Sequence, residues 1–421
     1  MKIAIIGTGI SGNIAAYLLN QAHDITVYEK NNYIGGHSRT LEIDYDGKKI
    51  PVDTGFIVFN YRNYPLLTGM FKHLEVEVEK SDMSFAASIN NSWLEYNTQS
   101  LAKLFAQKKN LLRPKYIGML KDITSFFKES KLILESGEID MNLGEFVKNL
   151  GLGDWFKRYF LYPMGGAIWS CPIEQMLQFP AYTFIRFFEN HGLLATEGQP
   201  QWYTVTGGSK QYVEKLTASF DDKVRLNCAV KSIKRDNNKV EVTDQNGNTE
   251  VYDHVVMASH ADESLKILSD ATHEEKAILS NFTYQKNIAY LHRDVSLMPK
   301  NKNAWASWVY LSKEKEDKTP DISVSYWMNL LQNIDDKYPL FVTLNPHTEP
   351  DPELVFNRHE FHHPVFTKNA IKAQKEIELI QGKNNTWFCG AYQRYGFHED
   401  GMMSGVNVAK ELGVDLPWQE S

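Results

Sequence analysis

The sequence predicts an α/β fold: a Rossmann-like domain, built from separate pieces of chain, interleaved with an α+β domain. Three observations predict it. Residues 2–6, KIAII, are a short β-branched apolar run that leads straight into a glycine turn and a helix-like segment. A second glycine turn, Gly207-Gly208, opens another helix-like run and is followed by strand patterns. A third glycine-rich stretch, WFCGAYQRYGFHEDGMMSGVNVAKELG from Trp387 to Gly413, again precedes a helix-like run. The pieces of one domain thus recur along all 421 residues, a length that suits roughly two or three domains.

The first element is a buried parallel strand by its continuous apolar character. The turn after it, Gly7-Thr8-Gly9-Ile10-Ser11-Gly12, spells G-x-G-x-x-G, and NIAAYLLNQA continues as a helix. DITVYEK is the second strand, with Glu29 near its end, so the acid stands about 20 residues beyond the glycines, as a dinucleotide site requires. In that reading Gly7 makes the tight turn, Gly9 admits a pyrophosphate and Gly12 lets helix and strand pack closely. The helix N-terminus offers unpaired N–H groups to the phosphates, and Glu29 accepts from the ribose hydroxyls.

A second glycine pair follows, Gly35-Gly36 with His37, Ser38, Arg39 and Thr40, and then a hairpin pattern with an Asp46-Gly47 turn. A plain NAD-binding domain has a helix at this point. Helical patterns then run from YPLLTGMFKHL through SLAKLFAQKKNLL and KYIGMLKDITSFFKES to LGEFVKNLG, interrupted by a hairpin at residues 84–97 turning at Asn90-Asn91. Residues 224–259 read as strands with an Asn246-Gly247 turn, and residues 279–367 as a β-rich second layer. The expected division is 1–80, 196–278 and 380–421 for the first domain, and 81–195 with 279–379 for the second.

Composition narrows the function. A net charge of -7 disfavours a dedicated nucleic-acid binder. Three cysteines (Cys171, Cys228, Cys389) form no CxxC and imply neither a disulfide framework nor a zinc cluster. With no long apolar run, the expected location is cytoplasmic. Residues 359–363, HEFHH, contain the letters H-E-x-x-H, but that motif needs a helix, and Pro364 with β-like surroundings argues against one. No metal is expected, and His359 and His363 are expected to be exposed or at a strand's rim. Residues 101–131 carry eight cations against two carboxylates, interleaved with leucines and aromatics, which suggests contact with an anionic membrane on its inner face. Solvated lysines on packed helices are the plain alternative.

GxGxSG, then GG-x-x-x-T, then Asp53-Thr54-Gly55 resembles the flavoprotein superfamily of monoamine oxidase, protoporphyrinogen oxidase and phytoene desaturase. DTGFIVFN, SDMSF, YPMGGAIWS, FTYQKNIAYLH, HPVF and CGAYQRYGFHEDGMMSG narrow it. Together they resemble a bacterial NAD/FAD-binding subfamily associated with cyclopropane-fatty-acyl-phospholipid synthase-like methyltransferases, including the flavin desaturase of furan fatty acid biosynthesis. The resemblance covers essentially the whole chain and implies an FAD domain of the glutathione-reductase/amine-oxidase type, with non-covalent FAD, a fatty acyl lipid substrate and a methyltransferase pathway partner. It places Gly7, Gly9, Ser11, Gly12, Glu29, Lys30, Gly35, Gly36, His37, Ser38, Arg39, Thr54, Gly55, Phe56, Ile57 and Val230 around the cofactor. At the C-terminal end it adds Gly390, Ala391, Asp400, Gly401, Met402 and Ser404, with Gly401 and Met402 approaching the flavin ring backbone-first. Tyr395 and His398 are the implied catalytic residues, and Tyr162 and Trp169 the implied substrate-binding ones. Lys286 stands where some amine oxidases carry a lysine near flavin, but the subfamily pattern has proline there, so it is expected in solvent. Cys389 is expected to be a buried, inert thiol. The activities compatible with this resemblance are acyl-chain dehydrogenation, amine oxidation, double-bond isomerisation, and a non-catalytic flavin-binding role.

Overall fold

The structure, a computed structural model, describes residues 1–137, 141–169, 173–190, 194, 200–236, 238–314 and 320–418. Its first layer is a parallel sheet ordered Val224–Arg225, Asp24–Tyr28, Lys2–Ile6, His254–Met257, Thr386–Phe388. The Lys2–Ile6 strand lies at the centre, pairing Ile3 with Ile25 on one side and with His254 on the other. Ile3, Ala4 and Ile5 are wholly buried, which is why this strand reads as a continuous apolar run. Helices Ile10–Leu19 and His398–Glu411 pack on each other beside it.

Of the run RLNCAVKSI only the start lies beside the Glu29 strand. Val224 and Arg225 pair with Val27 and Tyr28, and Arg225 takes the Glu29 N–H on its carbonyl at 3.0 Å. The chain then leaves, and Val230–Asp236 starts a separate antiparallel sheet with Lys239–Asp244 and Thr249–Tyr252. Its sequence VKSIKRD explains the departure. Ile233 is the one fully buried residue, so the strand has no second apolar face to bury in a doubly covered sheet.

The second layer is a seven-stranded sheet ordered Val355–Val365, Thr283–His292, Phe341–Leu344, Pro320–Trp327, Trp308–Glu314, Phe85–Ile89, Leu94–Asn97. The early hairpin enters it through parallel pairing of Phe85 with Trp308, which interleaves distant pieces of chain. Phe85, Ala87 and Ile89 face a core of aromatics from the helical segment, among them Tyr116, Phe126, Phe146 and Phe156. The segment SLAKLFAQKKNLL is not one helix. It breaks into Leu101–Leu104 and a 3₁₀ turn Lys108–Leu112, because Asn110 is buried and donates its amide to the Glu95 carbonyl at 3.2 Å.

Asp53 joins the layers. Its buried carboxylate accepts from Ser209 N–H at 2.9 Å, Ser209 Oγ at 2.8 Å, Gln332 Nε2 at 3.0 Å and Thr40 Oγ1 at 2.5 Å. It thereby fixes the Gly207-Gly208 turn, the start of helix Lys210–Thr217 and the second layer to one point. Burial pushes this carboxyl up to about 6, so the donors hold it against a large desolvation cost.

Candidate cofactor and substrate site

The site begins at the first glycine turn. A Cβ on Gly12 would overlap the Gly7 carbonyl oxygen, so helix Ile10–Leu19 approaches the strand end as closely as backbone allows. Gly9, by contrast, has open space where a side chain would be, and Gly36 closes on it from the second glycine turn. Thr8 O accepts the Gly35 N–H at 3.0 Å, which ties the two turns together. Residues 37–39 are zipped to 54–56: Phe56 N–H donates to His37 O at 2.7 Å, Thr54 N–H to Arg39 O at 2.9 Å, and Arg39 Nη1 to Thr54 Oγ1 at 3.1 Å. Gly55 lies directly against the His37 carbonyl, and Ile57 is buried beneath.

Glu29 is buried at the end of its strand. Its Oε2 accepts from Thr8 N–H at 3.1 Å and Oε1 from Asn31 N–H and Nδ2, both at 2.8 Å. Lys30 turns outward to pair with Glu263 at 2.5 Å. Val230 is half-buried at the first position of its separate sheet.

The C-terminal glycines serve helix packing. A Cβ on Gly405 would overlap the Ser11 carbonyl, and one on Gly401 would lie 2.8 Å from Ile10 Cγ2 and 3.0 Å from Ser11 Oγ. They let the last helix pack against the first, bringing two helix N-termini to one place. The Met402 side chain is wholly buried in the core. Ser404 Oγ accepts from Gly390 N–H at 2.8 Å and donates to Gly401 O at 2.7 Å, so the Gly390-Ala391 turn hangs from this helix. Cys389 is fully buried, and burial pushes its thiol up to about 12, which keeps it neutral.

At the start of the last helix, His398 stacks on Phe56 at 3.9 Å and 11°. Its Nε2 lies 2.6 Å from the Tyr212 hydroxyl and 3.3 Å from Ser38 Oγ, and the two hydroxyls also bond to each other. Burial pushes the imidazole down to about 3, so it is neutral at physiological pH. Tyr212 had no sequence signal beyond following a glycine turn. Asp400 reaches back to Phe397 N–H at 3.0 Å, and burial raises its carboxyl to about 6. Tyr395 is half-buried, with Phe187 6.4 Å away; Phe187 stacks in turn on Phe397 at 4.8 Å. Burial raises the Tyr395 phenol, which therefore stays protonated. Tyr162 is half-buried and packs against the aromatic core of the helical segment. Trp169 ends helix Tyr162–Trp169, and its side chain lies outside the described residues, as does Cys171.

The H-E-x-x-H letters fall on strand Val355–Val365, so the helical face that motif needs is absent. On a strand His359, Phe361 and His363 share a face, and that face turns inward rather than to solvent. Phe361 and His363 lie 5.0 and 5.5 Å from the His37 ring, and Asn287 Nδ2 meets His363 Nδ1 at 2.9 Å. The expectation of exposure thus fails for His363, which burial pushes down to about 4. Lys286 is exposed and paired with Glu360, as expected. Among the described residues no group of three or more His, Cys, Asp and Glu is placed to hold a metal.

The residues present fit a flavin dinucleotide. Gly9 leaves open space at the N-terminus of helix Ile10–Leu19, the Glu29 carboxylate accepts from Thr8 N–H in the same turn, and His37 Nε2 in the second glycine turn is buried without a hydrogen-bond partner. The sequence profile of the family described as flavin containing amine oxidoreductase matches residues 10–292, well over half of the chain. The chain belongs to this flavin-containing amine oxidoreductase family, and FAD is its cofactor. A curated relative, the 4,4'-diapophytoene desaturase (4,4'-diaponeurosporene-forming) of Staphylococcus aureus, is 47% identical over 45 residues. That match covers 10% of this chain and 9% of the relative. Two solved structures share the fold over nearly the full length. The CLA-producing fatty acid isomerase from P. acnes has a TM-score of 0.70 at 14% identity, covering 98% of each chain. Cyclohexylamine oxidase from Brevibacterium oxydans has a TM-score of 0.70 at 15% identity, covering 98% of this chain and 99% of its own.

FAD is expected to be held without a covalent bond, because the thiol of Cys389 is buried and neutral. Acid precipitation of the yellow protein should leave the colour in the supernatant. Flavin that stays with the pellet would contradict this.

Proposed function

We propose that the protein dehydrogenates a methyl-branched or unsaturated fatty acyl chain of a phospholipid. The observation that carries this reading is a cavity of about 190 Å³ beside the entry to the last helix. Phe179, Phe184, Phe366 and Ile371 give it an apolar wall, and Tyr395 closes one side. Its two charged lining residues, Arg394 and Lys375, are both cations. Such a lining suits an apolar chain with an anionic head and repels a substrate ammonium, which disfavours amine oxidation. Gln374 steadies the loop by donating Nε2 to the carbonyls of Tyr392 at 2.9 Å and Arg394 at 2.5 Å.

Bound FAD would supply the two-electron acceptor for a hydride from one carbon of the acyl chain, while the adjacent carbon gives up a proton and its C–H electron pair becomes the new double bond. Tyr395, a protonated phenol on the cavity wall, orients the chain as a hydrogen-bond donor or by contact with its ring face. His398 acts as a positioning residue: through Tyr212 and Ser38 it fixes the second glycine loop to the start of the last helix. The pathway partner that fits this reading is a methyltransferase acting on the same acyl chain.

Anaerobic mixing with an anionic acyl lipid should bleach the flavin and yield a lipid two hydrogens lighter. Arg394→Gln should raise KM for that lipid about tenfold or more with a smaller change in kcat, as loss of one charged hydrogen bond of about 1.5–3 kcal/mol implies. Bleaching by amines alone would hand the function to amine oxidation. Product formation without net oxidation would assign double-bond isomerisation.

A further inference from the structure

We infer that the hairpin tip at Trp93 and the 3₁₀ turn Lys108–Leu112 form a docking surface that inserts into an anionic lipid bilayer. Eleven large apolar side chains are exposed among the described residues, and five of them, Trp93, Leu101, Leu111, Leu112 and Leu132, fall within residues 93–132. Leu112 and Leu101 are the most exposed of all, at 87% and 79%. An isolated exposed leucine needs no explanation, but this concentration does.

The local structure shows why these leucines cannot turn inward. Asn110 is wholly buried, and its amide donates to the Glu95 carbonyl while its Oδ1 accepts from Arg113 Nη1 at 3.0 Å. Arg113 also lies over the Trp93 ring at 4.8 Å and donates to the Trp93 carbonyl at 3.2 Å. Gln107 donates to Ser92 O at 2.8 Å and accepts from Glu95 N–H at 3.1 Å. The hairpin tip and the turn are therefore one fixed platform, pinned from beneath by Asn110. In a 3₁₀ helix residues three apart eclipse each other, which puts Lys108 beside Leu111 and Lys109 beside Leu112. Each exposed leucine is thus flanked by an ammonium on a flexible stem, the arrangement by which lysine reaches a charged surface while an apolar neighbour enters it.

Charge selects the occupant. Residues 101–131 carry eight cations against two carboxylates, a local +6 within a chain of net -7. Of the two carboxylates, Asp122 is spent on the Gly153 N–H at 3.0 Å. Among the described residues none of these cations forms an ion pair with a carboxylate of the chain. Lys121, Lys128 and Lys131 continue the cationic face along the exposed side of helix Pro114–Ser136, ending beside exposed Leu132. No helix among the described residues is long and apolar enough to cross a membrane, so the contact is interfacial. The inference stands on this surface alone and is independent of the reaction proposed above.

The test is co-sedimentation of the flavin-loaded protein with vesicles of phosphatidylcholine, with or without an equal part of phosphatidylglycerol. Pelleting is expected with phosphatidylglycerol and is expected to weaken as salt rises. Lys108→Gln with Lys109→Gln should weaken partitioning about thirty-fold, near the contribution of two lysines at an anionic surface. Leu111→Ser with Leu112→Ser should weaken it at least tenfold without restoring it at low salt. All four positions are solvent-exposed, and unchanged flavin absorbance in each variant shows that the fold is kept. Equal pelleting on both vesicle types at all salt concentrations, or no pelleting, overturns the inference. So does concentration-dependent dimerisation in light scattering that Leu111→Ser with Leu112→Ser abolishes without vesicle binding, since the face then serves a second copy of the chain.

Discussion

Glu29→Ala is expected to raise the FAD dissociation constant by about tenfold to more than a hundredfold. A charged hydrogen bond contributes about 1.5–3 kcal/mol, and each 1.4 kcal/mol is a factor of ten. The upper end of that range is expected here, because the carboxylate does two things. It is expected to offer oxygens to the ribose, and it also gathers Thr8 N–H, Asn31 N–H and Asn31 Nδ2 around itself. Glu29→Gln is not a mild control, since its amide would point N–H groups at one of those donors. Titration of apoprotein with FAD, followed by flavin fluorescence, measures the effect. A dissociation constant equal to that of the native protein would remove Glu29 from the cofactor site.

The parts of this site that are legible in the sequence are those whose causes are local. Strand, glycine turn, helix and terminal acid fall within the first 29 residues, and their spacing carries the reading. The Asp46-Gly47 turn is equally local, with both residues at positive φ. What stayed hidden depends on distant partners. Tyr212 matters through Ser38, 174 residues away, and through His398, 186 residues away. Gly401 is legible as a glycine of the cofactor segment, but its packing role is not, because the atoms a side chain at Gly401 or Gly405 would meet belong largely to Ile10 and Ser11 at the other end of the chain. His363 looks polar enough for a surface. Strand alternation and the pairing of Gln285 with His363 instead bring it in beside His37. Asp53 was visible within a motif, but its work of joining three segments was not, because Ser209 and Gln332 come from different layers.

His292 is expected to contribute about 3 kcal/mol of stability that is lost as the pH drops from about 6.5 to 4. This imidazole is completely buried, and burial pushes it down to about 4 from an ordinary 6.5. The hydrogen bonds give the reason in atomic terms. Nδ1 accepts the Asp294 N–H at 3.1 Å, and Nε2 meets Thr343 Oγ1 at 2.7 Å, so the neutral ring carries its proton on Nε2. A second proton on Nδ1 would oppose the Asp294 N–H directly. Below 6.5 the unfolded chain therefore binds a proton that the folded one refuses, and stability declines by up to about 1.4 kcal/mol per pH unit until the folded group also titrates near 4. Asp53 and Asp400 act in the opposite sense, since carboxyls raised to about 6 favour the folded state as pH falls from 6 toward their ordinary range. Below 6 these carboxyls oppose His292, while His363 and His398, also pushed down by burial, act with it, so the share of His292 is read from the difference in slope between the native protein and a His292 variant. Urea unfolding of the flavin-loaded protein at several pH values would follow the slope. His292→Gln should be less stable at pH 8 by about 1–3 kcal/mol, from an imperfect hydrogen-bond replacement, yet lose less on acidification than the native protein. Parallel slopes for the two proteins between 6.5 and 4 would show that His292 is not the group responsible.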